Sequence, residues 1–282
     1  MTRGHAADQA LIFLHVPRTS GSTLNSILTR QYRRREIHVE ELFNPSDIER
    51  FVALPESYRR RIRLLKGHMA FGLHRQLPQP ARYFTMVRDP IDRVVSMYYY
   101  IRRRPEARLH PTIMENDIDL ATYVASGMGR DHTDNSFVRF ISGEPFVEFG
   151  SVDSRLLDKA KENIQNHFVF VGTVDHFAES VLILKKEMGW RVPIFYGRHN
   201  VTQGRPAIES LDQKTRAVLD RYTEADRALV DHCTALFREK LEAMPEDFEL
   251  EVRRFRRRNA WVEKAYPKIQ PTRQRIRSAL SR

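Results

Sequence analysis

Residues 11–24 read LIFLHVPRTSGSTL, and this stretch indicates how the chain folds. Its first six residues form an apolar run of strand length, and the following loop of small residues passes directly into a helical pattern. A helix that starts after such a loop presents backbone N–H groups and the positive end of its dipole, an arrangement that binds phosphate. The stretch is not a Walker A loop, because Arg18 precedes Gly21 where that motif requires a Gly-Lys pair. A helix N-terminus capped by Ser20 or Ser22 is the alternative interpretation.

The alternation of strand and helix continues along the chain. Further apolar runs predict strands at 62–66, 82–87 and 168–172. Apolar periodicity predicts helices at 23–35, 46–53, 90–103, 117–126, 135–142, 154–166, 175–188, 212–221 and 223–243. Continuous apolar strands separated by helices predict an α/β fold, with a P-loop-like central parallel sheet flanked by helices and a helical C-terminal part. Ligands of such sheets bind beyond the carboxyl ends of the strands, so the polar residues that follow each strand are candidates.

A second polar motif follows the strand predicted at 82–87. It reads RDPIDRVVSMYYY over residues 88–100, with Asp89 suited to cap a helix and Pro90 to its first position. Arg88 then lies at the carboxyl end of the strand, and Ser96 lies two turns into the helix. A guanidinium and a hydroxyl placed in this way can clamp a second phosphate, while a surface Arg–Asp pair beside a neutral serine is the alternative.

Composition and charge restrict the class of protein. The 282 residues are enough for a large domain with its own core, and a single cysteine, Cys233, excludes a disulfide scaffold and a cysteine zinc site. Cys233 lies in the apolar stripe of a predicted helix, so we interpret it as a core residue. Of the net charge of +11, residues 251–282 carry +9 and residues 1–250 only +2, so no nucleic-acid partner is expected. We predict a domain over 1–250 and a basic C-terminal extension over 251–282.

Five stretches resemble, in order, the motifs of sulfotransferases that use 3′-phosphoadenosine 5′-phosphosulfate (PAPS). HVPRTSGSTL is similar to their 5′-phosphosulfate-binding loop and VRDPIDRVVSMYYY to their 3′-phosphate-binding motif. The sequences of these two motifs are most similar to those of the carbohydrate branch that includes heparan sulfate 2-O- and 6-O-sulfotransferases. The resemblance covers roughly residues 10–205 and departs at Arg18, where many members have lysine. The remaining stretches are KGHMAFG (66–72), DNSFVRFISG (134–143), and FVGT (170–173) leading into Glu179-Ser180 and Trp190.

The resemblance implies a role for each motif in binding the donor. Arg18 would stabilise the bridging oxygen as adenosine 3′,5′-bisphosphate (PAP) leaves, and Arg88 and Ser96 would bind the 3′-phosphate. Arg139 and Ser142 would belong to the donor pocket, although a helix that ends in Ser-Gly is also a plain C-terminal cap. The loop residues that would hold the 5′-phosphate are Thr19, Ser20, Gly21, Ser22, Thr23 and Leu24.

An acceptor hydroxyl needs a base, because its proton must leave as the oxygen attacks sulfur. An imidazole with an ordinary pKa of about 6.5 is largely neutral at pH 7 and accepts that proton. His68 is the catalytic candidate, because it follows a predicted strand on the same sheet edge as Arg18 and Arg88 and lies in the family-like KGHMAFG stretch. His74 and His199 are secondary candidates.

The sequence therefore predicts an enzyme that transfers the sulfuryl group of PAPS to a hydroxyl of a carbohydrate or glycoconjugate. No metal is expected, since this transfer depends on positioning and charge stabilisation and the sequence has no DxD or other clustered metal ligands. The alternatives are a nucleotide-dependent kinase with a degenerate P-loop and a basic scaffold that binds polyanions.

The location and the role of the tail are further expectations. The apolar run near the start is too short for a signal peptide or a membrane span, which predicts a soluble, cytoplasmic protein. In the tail, the run Arg253-Arg-Phe-Arg-Arg-Arg258 is followed by Trp261, Tyr266 and Ile269. Such a segment suits peripheral docking at an anionic membrane surface or a polyanion, and a solvated extension is the alternative.

Overall fold

A computed structural model describes residues 9–41, 45–196 and 206–279, with side chains over 9–40, 46–196 and 206–264. At its centre is a five-stranded sheet with the order β2-β3-β1-β4-β5, in which all neighbouring strands run parallel. The predicted α/β fold with a central parallel sheet is therefore confirmed. The strands are β1 (Ala10–Leu14), β2 (Ile37–Glu41), β3 (Leu64–His68), β4 (Ala81–Val87) and β5 (Phe168–Thr173).

The sequence predicted four of the five strands but not β2. It lies at the edge of the sheet and pairs only with β3. Its polar side chains His38 and Glu40 bond to each other over 2.9 Å, and Val39 between them is 61% exposed. A search for continuous apolar runs finds strands buried on both faces, so a half-solvated edge strand is missed.

Helices cover both faces of the sheet and continue beyond β5, as predicted. Short helices near residues 56, 110 and 130 were not predicted, because a single helical turn has no periodicity to detect. The α-helices in the described residues are α1 (Gly21–Gln31), α2 (Pro45–Val52), α3 (Glu56–Arg59), α4 (Pro90–Arg102), α5 (His110–Glu115), α6 (Leu120–Ala125), α7 (Arg130–Thr133), α8 (Ser136–Ser142), α9 (Ser154–His167), α10 (Phe177–Glu187), α11 (Gln213–Tyr222), α12 (Glu224–Glu242) and α13 (Phe248–Ala279).

The core follows from the alternation of side chains along the strands. In β1, Ile12 and Leu14 point to one face and pack with apolar residues of α8, α9 and α12. Leu11 and Phe13 point to the other face and pack with residues of α1, α10 and α13. Cys233 is fully buried in the first of these clusters, which confirms its interpretation as a core residue.

The topology determines where a site can form. β1 lies in the middle of the sheet, with β3 on one side and β4 on the other. The carboxyl ends of these three strands therefore lie side by side and bring together His15, His68 and Arg88, which end or directly follow them. In open α/β sheets, ligands bind in the crevice at such an edge.

The C-terminal extension is joined to the body without a break, so the predicted boundary at 250/251 falls inside a helix. α13 begins at Phe248, and the side chains of Val252 and Phe255 are each 3% exposed in the cluster formed with α10. Further along, Asn259 Oδ1 accepts a hydrogen bond of 2.8 Å from the backbone N–H of Tyr196. The predicted boundary follows the change in composition to basic sequence. The apolar residues Val252 and Phe255 beside the arginines nevertheless belong to the core.

Beyond Asn259 the helix continues to Ala279. Trp261 is 71% exposed, the largest exposed fraction among the exposed large apolar side chains of the described residues. No helix in the described part of the chain is both long enough and apolar enough to cross a bilayer. Docking of the tail at an anionic surface stays a prediction.

Candidate active site

The loop between β1 and α1 is tightly wound. The backbone φ angles of Arg18 and Ser20 are 75° and 61°, in the left-handed region that non-glycine residues seldom adopt. Such strain is concentrated at functional sites, because the surrounding structure must hold it in place. Helix α1 then begins at Gly21, and the N–H of Leu24 donates to Ser20 O over 3.1 Å. The first turn of the helix thus faces the loop, which is the geometry that binds an anion at a helix N-terminus.

The side chains of three predicted loop residues point into the protein. Thr19 is fully buried and its Oγ1 donates to Val16 O over 2.8 Å, while Thr23 is nearly buried. Leu24 packs in the core, and its N–H is occupied by Ser20. We therefore correct the predicted role of Leu24 to packing, and any phosphate contact of Thr19 must come from its backbone.

Position 21 requires glycine because of its neighbour His15, a residue that the sequence did not predict to lie at the site. The imidazole of His15 occupies the space beside Gly21, and a Cβ atom there would lie 2.0 Å from His15 Nε2. His15 Nε2 is buried and has no hydrogen-bond partner among the described residues. Its position directly after β1 and before the loop is the sequence feature that could have identified His15 as a site residue.

His15 and His68 form a pair at the carboxyl ends of β1 and β3. Their ring centroids are 4.6 Å apart, and His68 Nδ1 lies 3.0 Å from the backbone oxygen of His15. A carbonyl oxygen only accepts, so Nδ1 carries the proton of His68 and Nε2 is its basic nitrogen. Burial, and then the nearby His68 and Arg18, hold the pKa of His15 well below its usual value, so His15 is neutral at pH 7.

Three predicted donor-binding residues meet beside this pair. Arg18 Nε donates to Ser96 Oγ over 3.3 Å, and Arg88 Nη1 donates to the backbone oxygen of Arg18 over 3.1 Å. Arg88 Nε also donates to Asp92 over 2.6 Å. The predicted cap of α4 orients this group, because Asp89 accepts from the N–H of Asp92 at 2.7 Å and fixes the start of the helix.

The electrostatics of this group favour an anion. Burial lowers the pKa of Arg18, and the charges of Arg88, Arg103 and Arg104 lower it further. The ionisable group of Tyr100 opposes this effect, and the centroid of its ring lies 4.5 Å from Arg18 Cζ. Arg18 lies within electrostatic reach of three further guanidinium groups, of which Arg88 pairs with Asp92 and Arg104 with Glu106, and a ligand that carries several negative charges would stabilise it.

Arg139 and Ser142 are not part of this group. The Arg139 guanidinium is 1% exposed and is paired with the Asp134 carboxylate. It also donates over 2.6 Å to the backbone oxygens of Val147 and Glu148. Ser142 Oγ donates to Arg139 O over 3.2 Å at the end of α8. The predicted donor-pocket role is therefore corrected, because Arg139 instead holds the loop that follows α8 and Ser142 belongs to its C-terminal cap.

The secondary base candidate His74 makes its contacts with residues outside this group. His74 receives its contacts from Tyr83, whose hydroxyl lies 3.1 Å from His74 Nδ1, and from His167, whose ring centroid is 4.8 Å away. Burial, with the charges of His167 and Arg75, lowers the pKa of His74 to about 4. His199 lies outside the described residues.

A further histidine, His132, lies close enough to His68 to respond to its charge. Burial, and then Arg93, His68 and Arg108, lower the pKa of His132 to about 3. Its Nδ1 is buried without a hydrogen-bond partner among the described residues. The neighbouring Arg93 is fully buried with Asp226, whose carboxylate accepts from the backbone of α8.

These histidines predict that the protein loses stability as the pH falls from about 6.5 to 4. The unfolded chain protonates a histidine near pH 6.5, whereas folded His132, with a pKa of about 3, stays neutral, so acid favours the unfolded state. His15 and His74 act in the same direction. Asp226 opposes them between pH 4 and 6, because burial raises its pKa to about 6 and the folded state then binds the extra proton.

The test is the melting temperature of the parent and of His132→Gln between pH 7.5 and 5. We expect the variant to lose about 4–8 °C less than the parent over this range, the equivalent of about 2 kcal/mol. Equal slopes for the two proteins would contradict the assignment.

Within the described residues, no group of three or more His, Cys, Asp or Glu side chains could hold a metal ion. The expectation that no metal is needed stays a prediction.

Comparisons with known proteins show the family of the chain. The profile of the Galactose-3-O-sulfotransferase family matches residues 3–266. The chain is 22% identical over 252 residues to mouse galactose-3-O-sulfotransferase 3, covering 82% of this chain and 57% of that protein. It is 27% identical over 197 residues to Xenopus laevis heparan sulfate 2-O-sulfotransferase 1, covering 63% and 54%. The chain thus spans about half the length of these relatives.

A solved structure of mouse sulfotransferase SULT7A1 complexed with PAP is similar with a TM-score of 0.36 and 15% identity, covering 66% of this chain and 61% of that one. The resemblance to carbohydrate sulfotransferases is confirmed by the family profile and the sequence relatives. With a match that spans nearly all of its length, the chain belongs to the Galactose-3-O-sulfotransferase family.

Proposed function

We propose that the protein transfers the sulfuryl group of PAPS to a hydroxyl of a carbohydrate or glycoconjugate. The observation that carries the proposal is the meeting of Arg18, Arg88 and Ser96 at the N-terminus of α1, next to His68. The names of the relatives, a galactose and a heparan sulfate sulfotransferase, support a carbohydrate acceptor.

The residues present fit this donor. The first turn of α1 suits the 5′-phosphate, since backbone N–H groups and the helix dipole both favour an anion there. Arg88 precedes α4 and Ser96 lies about two turns into it, and both suit the 3′-phosphate that distinguishes PAPS from ATP. Gly21 leaves the space beside the loop that the neutral ring of His15 occupies.

The geometry suits an in-line transfer. The acceptor oxygen forms a bond to sulfur while the bond between sulfur and the 5′-phosphate oxygen breaks. The acceptor proton passes to Nε2 of His68, whose Nδ1 proton is held by the His15 carbonyl. Arg18 stabilises the negative charge on the oxygen of the departing PAP. With guanidinium groups already facing the phosphates, we propose that the step needs no metal.

Arg88→Ala tests the assignment of the 3′-phosphate site. We expect its affinity for PAP to fall by about 10- to 100-fold, because one charge-assisted contact is worth about 1.5–3 kcal/mol. Affinity for ADP should change far less, since ADP uses the loop but has no 3′-phosphate. The measurement is titration calorimetry with PAP, ADP and ATP, without and with Mg²⁺.

The control is Arg82→Ala, an exposed arginine at the opposite end of β4 whose Nη2 donates to Phe168 O. It should bind PAP like the parent. Equal affinity of the parent for PAP and ADP would refute the donor assignment, and Mg²⁺-dependent preference for ATP would favour a kinase instead.

A further inference from the structure

Two residues on one face of α4 hold the guanidinium of Arg18. Ser96 and Tyr100 are four residues apart, so their side chains lie one turn above the other. Ser96 Oγ accepts from Arg18 Nε over 3.3 Å, and the Tyr100 ring centroid lies 4.5 Å from Arg18 Cζ. The serine therefore binds an edge of the guanidinium, and the ring lies within the distance of a cation–π contact.

The surroundings explain why Arg18 needs such support. Arg88, Arg103 and Arg104 all repel its charge, and Arg104 Cζ is itself 5.5 Å from the Tyr100 centroid. A free arginine side chain has several rotatable bonds, so this repulsion would spread it over many conformers. An aromatic face attracts a guanidinium and also matches its planar shape, which a compact ammonium lacks.

We propose that Tyr100 is a positioning residue, whose ring keeps the Arg18 guanidinium in the orientation needed at the leaving oxygen of the donor. The inference rests on the proposed role of Arg18 in sulfuryl transfer. Tyr100 acts through Arg18 and holds neither phosphate, so its loss affects turnover and leaves donor affinity nearly unchanged. Its phenolic hydroxyl plays no part.

The test compares Tyr100→Leu, which removes the aromatic face, with Tyr100→Phe, which keeps the face and removes the hydroxyl. Release of PAP from saturating PAPS is measured in single turnover, with lactose, with desulfated heparan sulfate and with water alone as acceptor. Tyr100→Leu should lower the rate roughly tenfold, and Tyr100→Phe should stay within about twofold of the parent. PAP affinity and melting temperature are measured for each variant and should match the parent.

Tyr99→Leu is the matched control, since Tyr99 is the partly buried neighbour that packs on Tyr98 rather than on Arg18. It should keep the parental rate. An unchanged rate in Tyr100→Leu, an equal loss in Tyr100→Leu and Tyr100→Phe, or a loss that accompanies a lower melting temperature would each overturn the proposal. Arg18→Ala separates the two levels, because parental turnover in that variant would refute the role of Arg18 itself, whatever Tyr100 does.

Discussion

His68→Ala is expected to lower kcat by about 10²- to 10⁴-fold, the usual contribution of a positioned general base. Affinity for PAP should remain within about twofold, because His68 holds no phosphate in the proposed arrangement. The measurement is turnover with PAPS and a galactose-terminated or heparan sulfate acceptor, together with calorimetry of PAP.

Two companion experiments separate the base from the packing of the ring. His68→Asn keeps an N–H that can donate to His15 O but has no basic nitrogen, so it should lose as much turnover as His68→Ala. Added imidazole should partly restore His68→Ala and leave His68→Asn unrestored, since only the alanine variant has a vacant space. Near-parental turnover in His68→Ala would show that His68 is structural, and His132 would become the next residue to test.

Deletion of residues 251–282 is expected to destabilise the whole domain. It removes Val252 and Phe255 from the core and Asn259 from its bond to the Tyr196 backbone. Burial of two such apolar side chains contributes roughly 4–6 kcal/mol, a large part of the roughly 5–15 kcal/mol by which folded domains are stable. We expect a melting temperature at least about 10 °C lower, or no cooperative unfolding transition, measured by calorimetry or circular dichroism.

The matched control is the shorter deletion of residues 265–282, which leaves every packed residue of the helix named above in place. It should melt within about 2 °C of the parent. A parental melting temperature after the longer deletion would contradict the packing of α13. A test of tail docking on anionic vesicles should instead substitute the exposed Arg254, Arg257 and Trp261, since these changes leave the packed residues of α13 in place and loss of binding by an unfolded protein is uninformative.

Local chemistry made part of the site predictable. The strand, loop and helix at residues 11–24 and the capped start of α4 depend on neighbours within a few residues, so their sequence patterns place Arg18 and Arg88 at strand ends. The parallel sheet then required these ends to share one edge, and the hydrogen bond from Arg88 to the Arg18 backbone agrees with that expectation. The contact between Arg18 and Ser96 joins residues 78 positions apart, but each lies in a motif that the sequence already contained.

Local sequence patterns do not reveal the role of a polar side chain whose partners lie far away in the chain. Arginine is a residue type that binds phosphate. The N–H donors of Arg139, however, are occupied by Asp134 and by carbonyls of the loop after α8. The sequence predicted no site role for His15 or His132. Both residues belong to the site because they lie near His68, and only the folded chain creates that proximity.

The sequence by itself thus determined the class of fold, the order of its main elements and the two motifs at the sheet edge, because periodicity and capping are local. Tertiary structure alone decided that β2 closes one edge, that Arg139 is internal and that α13 completes the core. The physical reason is that burial and hydrogen-bond saturation depend on partners far away in the chain. An arginine-rich segment such as 253–258 has the composition of a solvated tail, but Phe255 within it packs into an apolar cluster built from residues between 11 and 252.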